Sequence, residues 1–351
     1  MLIFIIILLL IIFNGISAKG KNEFFDDYCA RRQTSAINGI FAIIIFLSHS
    51  SEYIHFSSAL DYSYNTMRIY MGQLVVVTFL FFSGFGMMES INKKGMEYIK
   101  SIPKNRLIRV WYHFALALLP YFLINAVLNR HYTTAQSLMA FTGAGNIGNS
   151  NWFMFVTFAM YIFVYISFIL GKKSKVFALA LVTLMALGFA VFEYKVGFKR
   201  RFYDTVMCFP AGMIYSLIKP YTDKILMKND TLWACAFALF FGAFSLISPL
   251  RLNSAAYYTL WCLPAMILIL LFSMKVQIAN SILDWFGSHI FSIYMLQRIP
   301  MIILDSLGLS SQKYLFVTVC FVITIVMVIV FDSITDKLDS LIFKSPKKNT
   351  K

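Results

Sequence analysis

The chain has 351 residues, of which 59% are hydrophobic and only 13% charged, with a formal net charge of +15. A soluble globular domain is about 45–50% apolar and about 25% charged, so that class is excluded. The apolar residues run in continuous blocks long enough to cross a bilayer as helices, without the period-two alternation of a membrane barrel. The expected class is therefore all-α, a polytopic membrane helix bundle.

In chain order, hydropathy predicts spans over residues 2–16, 35–53, 70–88, 111–127, 152–170, 176–192, 202–218, 232–247, 255–272, 286–304 and 314–331. The first lacks the basic n-region of a cleaved signal peptide, and its positive charges, Lys19 and Lys21, follow it. It reads as an uncleaved extra helix with its N-terminus outside, ahead of a ten-helix core. The expected division is an N-terminal helix and cytoplasmic linker over 1–34, a membrane domain over 35–335 and a basic cytoplasmic tail over 336–351. Loops then alternate between sides, and 22 of the 31 Lys and Arg residues fall on one side. The positive-inside rule puts that side, with the tail, in the cytoplasm of a multi-pass cell-membrane protein. Basic residues placed in short loops next to lipid point to no nucleic-acid partner. The five cysteines show neither CxxC pairing nor metal-ligand spacing and read as packing residues, so no metal is expected.

Polar residues at membrane depth are the natural site candidates. On the second span Asn38 and His49 lie eleven residues apart, about three turns, and so share a face, with Glu52 following His49 at i+3. Imidazole titrates near neutrality and can accept a proton from an attacking hydroxyl, and a carboxylate one turn on can orient it. A helix end reaching lipid headgroups accounts for the same residues. Between the third and fourth spans, Arg106 and Arg109 open a helix at i, i+3 with both guanidiniums expected on one side. A guanidinium pair suits a phosphorylated donor arriving from the cytoplasm, and anchoring beside anionic lipid is the alternative. His113 lies one turn beyond Arg109. Ser83-Gly84-Phe85-Gly86 reads as a close-packing point and Asn151-Trp152 as an interfacial start. His289, Tyr294, Gln297 and Arg298 share the tenth span, Arg298 being expected to snorkel outward. His55 and His131 read as loop residues. The chain contains no P-loop, HExxH or GxSxG.

These pieces together resemble the acyltransferase-3 family of integral membrane O-acyltransferases. The stretch from Ala36 to His49 is similar to that family's first core helix, with its His near the end. Phe81-Phe82-Ser83-Gly84-Phe85 resembles its FFxxSGF block, and Pro103-Lys104-Asn105-Arg106-Leu107-Ile108-Arg109 its KxRLxRL block. Asn151-Trp152-Phe153, Phe209-Pro210-Ala211-Gly212-Met213 and Gly287 to Gln297 are similar to later landmarks. The resemblance implies transfer of an acyl group, commonly acetyl from acetyl-CoA as co-substrate, to hydroxyls of surface glycans, peptidoglycan or lipid-linked sugars of the cell envelope. It also implies that His49 is catalytic and that Arg106 and Arg109 help to hold the donor. Two positions depart from the family pattern: Asn38 stands where a basic residue is usual, and Gln297 where a His is usual. Asn38 can hydrogen-bond the donor but cannot pair with an anion.

A non-enzymatic glycan or lipid transporter and a polysaccharide polymerase are the rival readings. A polymerase calls for long outer loops rich in Arg and acidic residues, and the longest here, 129–151, holds only Arg130. A proton-coupled transporter calls for several mid-span carboxylates. Apart from Glu52 and acids at span ends such as Glu89, the sequence offers none.

Overall fold

A computed structural model of the chain describes residues 1–278 and 280–343. The basic positions 344, 347, 348 and 351 of the expected tail lie outside the described residues.

The helices of the first half are α1 Leu2–Phe13, α2 Arg31–Ser50, α3 Ala59–Met71, α4 Leu74–Lys94, α5 Met96–Ile102, α6 Arg109–Val127, α7 Thr134–Ala140 and α8 Trp152–Leu170. Those of the second half are α9 Lys175–Val196, α10 Cys208–Leu226, α11 Asp230–Ile247, α12 Ala255–Lys275, α13 Ser281–Ser288, α14 Ile290–Leu296, α15 Arg298–Ser306 and α16 Lys313–Ile342. Two three-residue strands, β1 Ile16–Ala18 and β2 Val276–Ile278, pair antiparallel. The class is the expected all-α polytopic bundle. Several helices start on side-chain caps: Ser174, Asn229 and Ser254 accept from the backbone N–H of Phe177, Leu232 and Tyr257, which satisfies donors that lipid could not.

Among the described residues, eight stretches are long and apolar enough to cross a membrane by length and composition. The three other expected spans are helical but different. Residues 2–16 yield the shorter α1, and 202–218 yield α10, which starts at Cys208 and carries Lys219 and Pro220. Residues 286–304 are broken into α13, α14 and α15, with His289 and Gln297 in the breaks. Pro300 explains the second break, since it has no N–H to offer the carbonyl four residues earlier. The last span runs on past 331 to Ile342, because Asp332, Asp336 and Asp339 continue the helix.

The described chain forms two compact units. The first comprises Met1–Ile45, Phe56–Pro103 and Trp152–Ser288. Its helices cross at glycines. A Cβ on Gly84 would overlap the Phe209 carbonyl, and one on Gly212 would overlap that of Phe81, so α4 and α10 touch backbone to backbone. Gly39 against Leu283 and Gly287 against Ser35 bring α2 and α13 together in the same reciprocal way. Apolar side chains gain nothing from leaving lipid for protein, so such close approach and the dispersion contacts it allows hold the helices. The second unit comprises Phe46–His55, Lys104–Asn151 and the described residues of His289–Lys351. It contains α6, α7, α14, α15, α16 and the last residues of α2.

Candidate active site

The end of α2 is set by its own serines. The hydroxyls of Ser50 and Ser51 both donate to the Leu47 carbonyl, at 3.0 and 2.6 Å. This back-bonding competes with continuation of the helix. The chain then tightens, with the Glu52 and Tyr53 N–H groups bonding back three residues to His49 and Ser50. His49 is thereby fixed at the helix end inside the second unit, half-buried, its ring 6.3 Å from that of buried Tyr294 at a 48° tilt.

The turn also aims Glu52. Both of its carboxylate oxygens accept from Arg298 Nη2, at 3.0 and 2.9 Å, and Arg298 Nε donates to Ser150 Oγ at 3.1 Å. Arg298 therefore does not snorkel outward as expected. Its side chain is only 16% exposed and is held from two sides, because an internal carboxylate and hydroxyl replace the headgroup water it would otherwise seek. Ser150 is delivered by an asparagine-stapled loop. Asn151 Nδ2 donates to the carbonyls of Gly143 and Gly145, each at 2.8 Å, and Asn125 Nδ2 donates to that of Ile147 at 2.7 Å.

A second group of charges gathers on α16. Asp339 forms an ion pair with Arg109, Nε to Oδ2 at 3.3 Å, lies 3.1 Å from His113 Nε2 and accepts a hydrogen bond from Tyr112. Arg109 also stacks over the Phe343 ring at 4.6 Å. Arg109 and His113 are thus brought together as one turn of α6 predicts, through a carboxylate shared between them. Arg106 falls on a π-helical turn, Pro103–Ile108. With i→i+5 bonding, residues three apart no longer share a face as in an α-helix, so the expectation that Arg106 and Arg109 point the same way does not carry over. Seven residues earlier on α16, Asp332 accepts from Ser292 and lies 3.7 Å from His289 Nε2.

The segment from His289 to Arg298 is a polar thread through this unit. His289 faces Asp332, Tyr294 lies beside His49, and Arg298 grips Glu52. Nine helical residues span about 13 Å. Gln297, fully buried in the break, donates to the Tyr294 carbonyl, and its Oε1 accepts no hydrogen bond among the described residues. Asn38 lies in the first unit, its Oδ1 buried and likewise without a partner among the described residues. His55 and His131 are exposed loop residues, as expected.

Asp332 and Asp339 were not legible as site residues because hydropathy ends the last span at 331. Their spacing with Asp336, at i, i+4 and i+7, was the available signal, since it places three carboxylates on one helix face. Ser150 carried only the weak signal of an Asn- and Gly-rich loop.

The family model described as an acyltransferase domain, that of acyltransferase-3, matches residues 35–334, most of the chain. Neither the curated proteins nor the solved structures include a match. The chain belongs to the acyltransferase-3 family and is a membrane acyltransferase.

Proposed function

We propose, with membership of that family as the premise, that this acyltransferase moves an acyl group, acetyl in the simplest case, from acyl-CoA to a hydroxyl of a surface glycan or lipid-linked sugar in the cell membrane. Support comes from His49, an imidazole set at a helix end against a buried tyrosine, with the Glu52–Arg298 pair three residues on. In this reading His49 takes the proton of the acceptor hydroxyl as its oxygen attacks the thioester carbonyl. The carbon–sulfur bond breaks, and the proton held by His49 passes to the departing thiolate of coenzyme A, which restores the base. Tyr294 sits beside the imidazole, the two rings 6.3 Å apart. Glu52 acts by holding Arg298, so it is a positioning residue in the proposal.

On the donor side the proposal gives Arg109 the phosphate-binding role, with Asp339 and Phe343 holding it in place until coenzyme A arrives. His113 shares Asp339 and adds positive charge when protonated. Arg106 is proposed as a further donor contact. The proposed topology has an outside N-terminus and a cytoplasmic C-terminus, which places this donor end inside the cell.

Mass spectrometry of surface glycans from cells with and without the gene tests the reaction class. The expected result is loss of an acyl mass increment from one glycan. Unchanged acylation across all glycans and lipid-linked sugars overturns the proposal. Arg106→Gln and Arg109→Gln should each raise KM for acyl-CoA about tenfold, as loss of a charge-assisted phosphate contact does. Lys100→Gln and Lys104→Gln should change it less, because an ammonium binds phosphate as a point charge. Equal small effects from all four favour lipid anchoring instead.

A further inference from the structure

The first unit contains a cavity of about 660 Å³ that the acyl-transfer reading leaves unused. That size is within the range of about 300–1,000 Å³ typical of small-ligand sites. It lies where the chain ahead of α2 meets α4 and α10. On α4 its lining residues are Phe82, Phe85, Gly86, Glu89 and Lys93, whose spacing of 3, 1, 3 and 4 puts them on one helix face. That face runs from buried phenylalanines to an exposed lysine over about 16 Å of helix, so the cavity has an apolar floor and a charged rim.

The charges sort into satisfied and unsatisfied. Lys219 pairs with Asp223 at 2.6 Å, Tyr28 donates to the same carboxylate at 2.6 Å, and Lys219 lies over the Tyr28 ring at 4.3 Å. Asp27 accepts from Gln277. Glu89 has only a neutral donor, Ser216 at 2.6 Å, and forms no ion pair among the described residues. Arg31 and Lys93, on the rim, form none either. A half-buried carboxylate beside two uncommitted cations, in one cavity at a membrane helix end, is complementary to a zwitterion. A polyanion such as coenzyme A is a poor match, since Asp26, Asp27, Glu89 and Asp223 outnumber Arg31, Lys93 and Lys219 around the wall. Cys29 adds no nucleophile, since burial pushes its thiol up to about 12.

We propose that this cavity binds a phosphoethanolamine group. Its primary ammonium meets Glu89, whose oxygens match three N–H donors where a trimethylammonium offers none. Its phosphate meets Lys93 and Arg31, and the carbon skeleton lies on Phe82 and Phe85. An ethanolamine phospholipid of the adjoining leaflet and free phosphoethanolamine present the same chemistry. The proposal is independent of the acyl-transfer reading, so a failure of one leaves the other standing.

Native mass spectrometry of the purified chain, titrated with phospholipids of identical acyl chains and ethanolamine, choline or glycerol headgroups, tests it. The ethanolamine lipid should bind at least about tenfold more tightly, as expected when a charged hydrogen bond distinguishes two ligands. Glu89→Gln should remove that preference and leave glycerol-headgroup binding unchanged. Competition by free phosphoethanolamine assigns the site to the soluble group, and retention of the lipid in its presence assigns it to the phospholipid. Equal binding of the three headgroups, or an unchanged preference in Glu89→Gln, overturns the proposal. Should Glu89→Gln fail to insert, Lys93→Gln at the exposed rim must weaken ethanolamine-lipid binding about threefold or more, and no change there overturns it equally.

Discussion

The α4–α10 crossing of the first unit and the α6–α16 pair of the second solve the same problem, helix association in lipid, by different means. The first uses Gly84 and Gly212 to press backbone on backbone without a charge at the crossing. The second ties Arg109, His113 and Tyr112 to Asp339. Small residues supply adhesion cheaply, so a membrane protein does not need buried charge for cohesion. Where ionisable side chains nonetheless collect, chemistry is the more economical account, and in the second unit they collect around His49 and Arg109.

The largest effect is expected at the glycines. Gly84→Ala or Gly212→Ala must push α4 and α10 apart, a cost of about 3 kcal/mol or more, so both should lose folded protein in size-exclusion profiles of solubilised membranes. Gly86→Ala is the matched control, since its Cβ would meet no heavy atom within 4 Å. Wild-type melting of Gly84→Ala would refute backbone contact as the source of cohesion. A smaller loss is expected from Asp339→Asn, which keeps the volume but leaves Arg109 and His113 without their carboxylate. Activity should fall about tenfold and KM for acyl-CoA should change, while the melting temperature moves little. A large drop in melting with unchanged kinetics would make the α16 carboxylates structural.

Smaller again is the coupling between Glu52 and Arg298. Glu52 is 46% exposed, so a double-mutant cycle with Glu52→Gln and Arg298→Gln should yield about 1 kcal/mol or less. Arg298→Gln alone should cost more activity than Glu52→Gln, because it also releases Ser150. The smallest effects belong to His55→Ala and His131→Ala, exposed loop substitutions expected within about 0.5 kcal/mol of wild type in stability and unchanged in rate.

The helices that were legible are those whose boundaries coincide with simple signals. Residues 152–170 match α8 because Asn151-Trp152 opens the helix and Gly171 closes it. The tenth span was misread as continuous because hydropathy averages over Pro300 and over buried Gln297. His49 at its helix end and the close-packing stretch at Gly84 could be read from local pattern, but the partner of Gly84, the Phe209 carbonyl on α10, could not. The Glu52–Arg298 and Arg109–Asp339 pairs join residues 246 and 230 positions apart (298 − 52 and 339 − 109). No periodicity in a single sequence connects such positions, and only the fold could supply them.

His49 is the proposed base of the acyl transfer. A general base contributes about 10²–10⁴-fold in rate. The most direct measurement compares acyl transfer by wild type, His49→Ala and His49→Gln, each reconstituted at equal folded concentration. Both variants should lose at least about 100-fold in kcat with melting temperatures near wild type, Gln included, because it keeps a hydrogen bond but cannot take a proton near neutral pH. A His49→Gln protein that retains most of the wild-type rate would contradict the account.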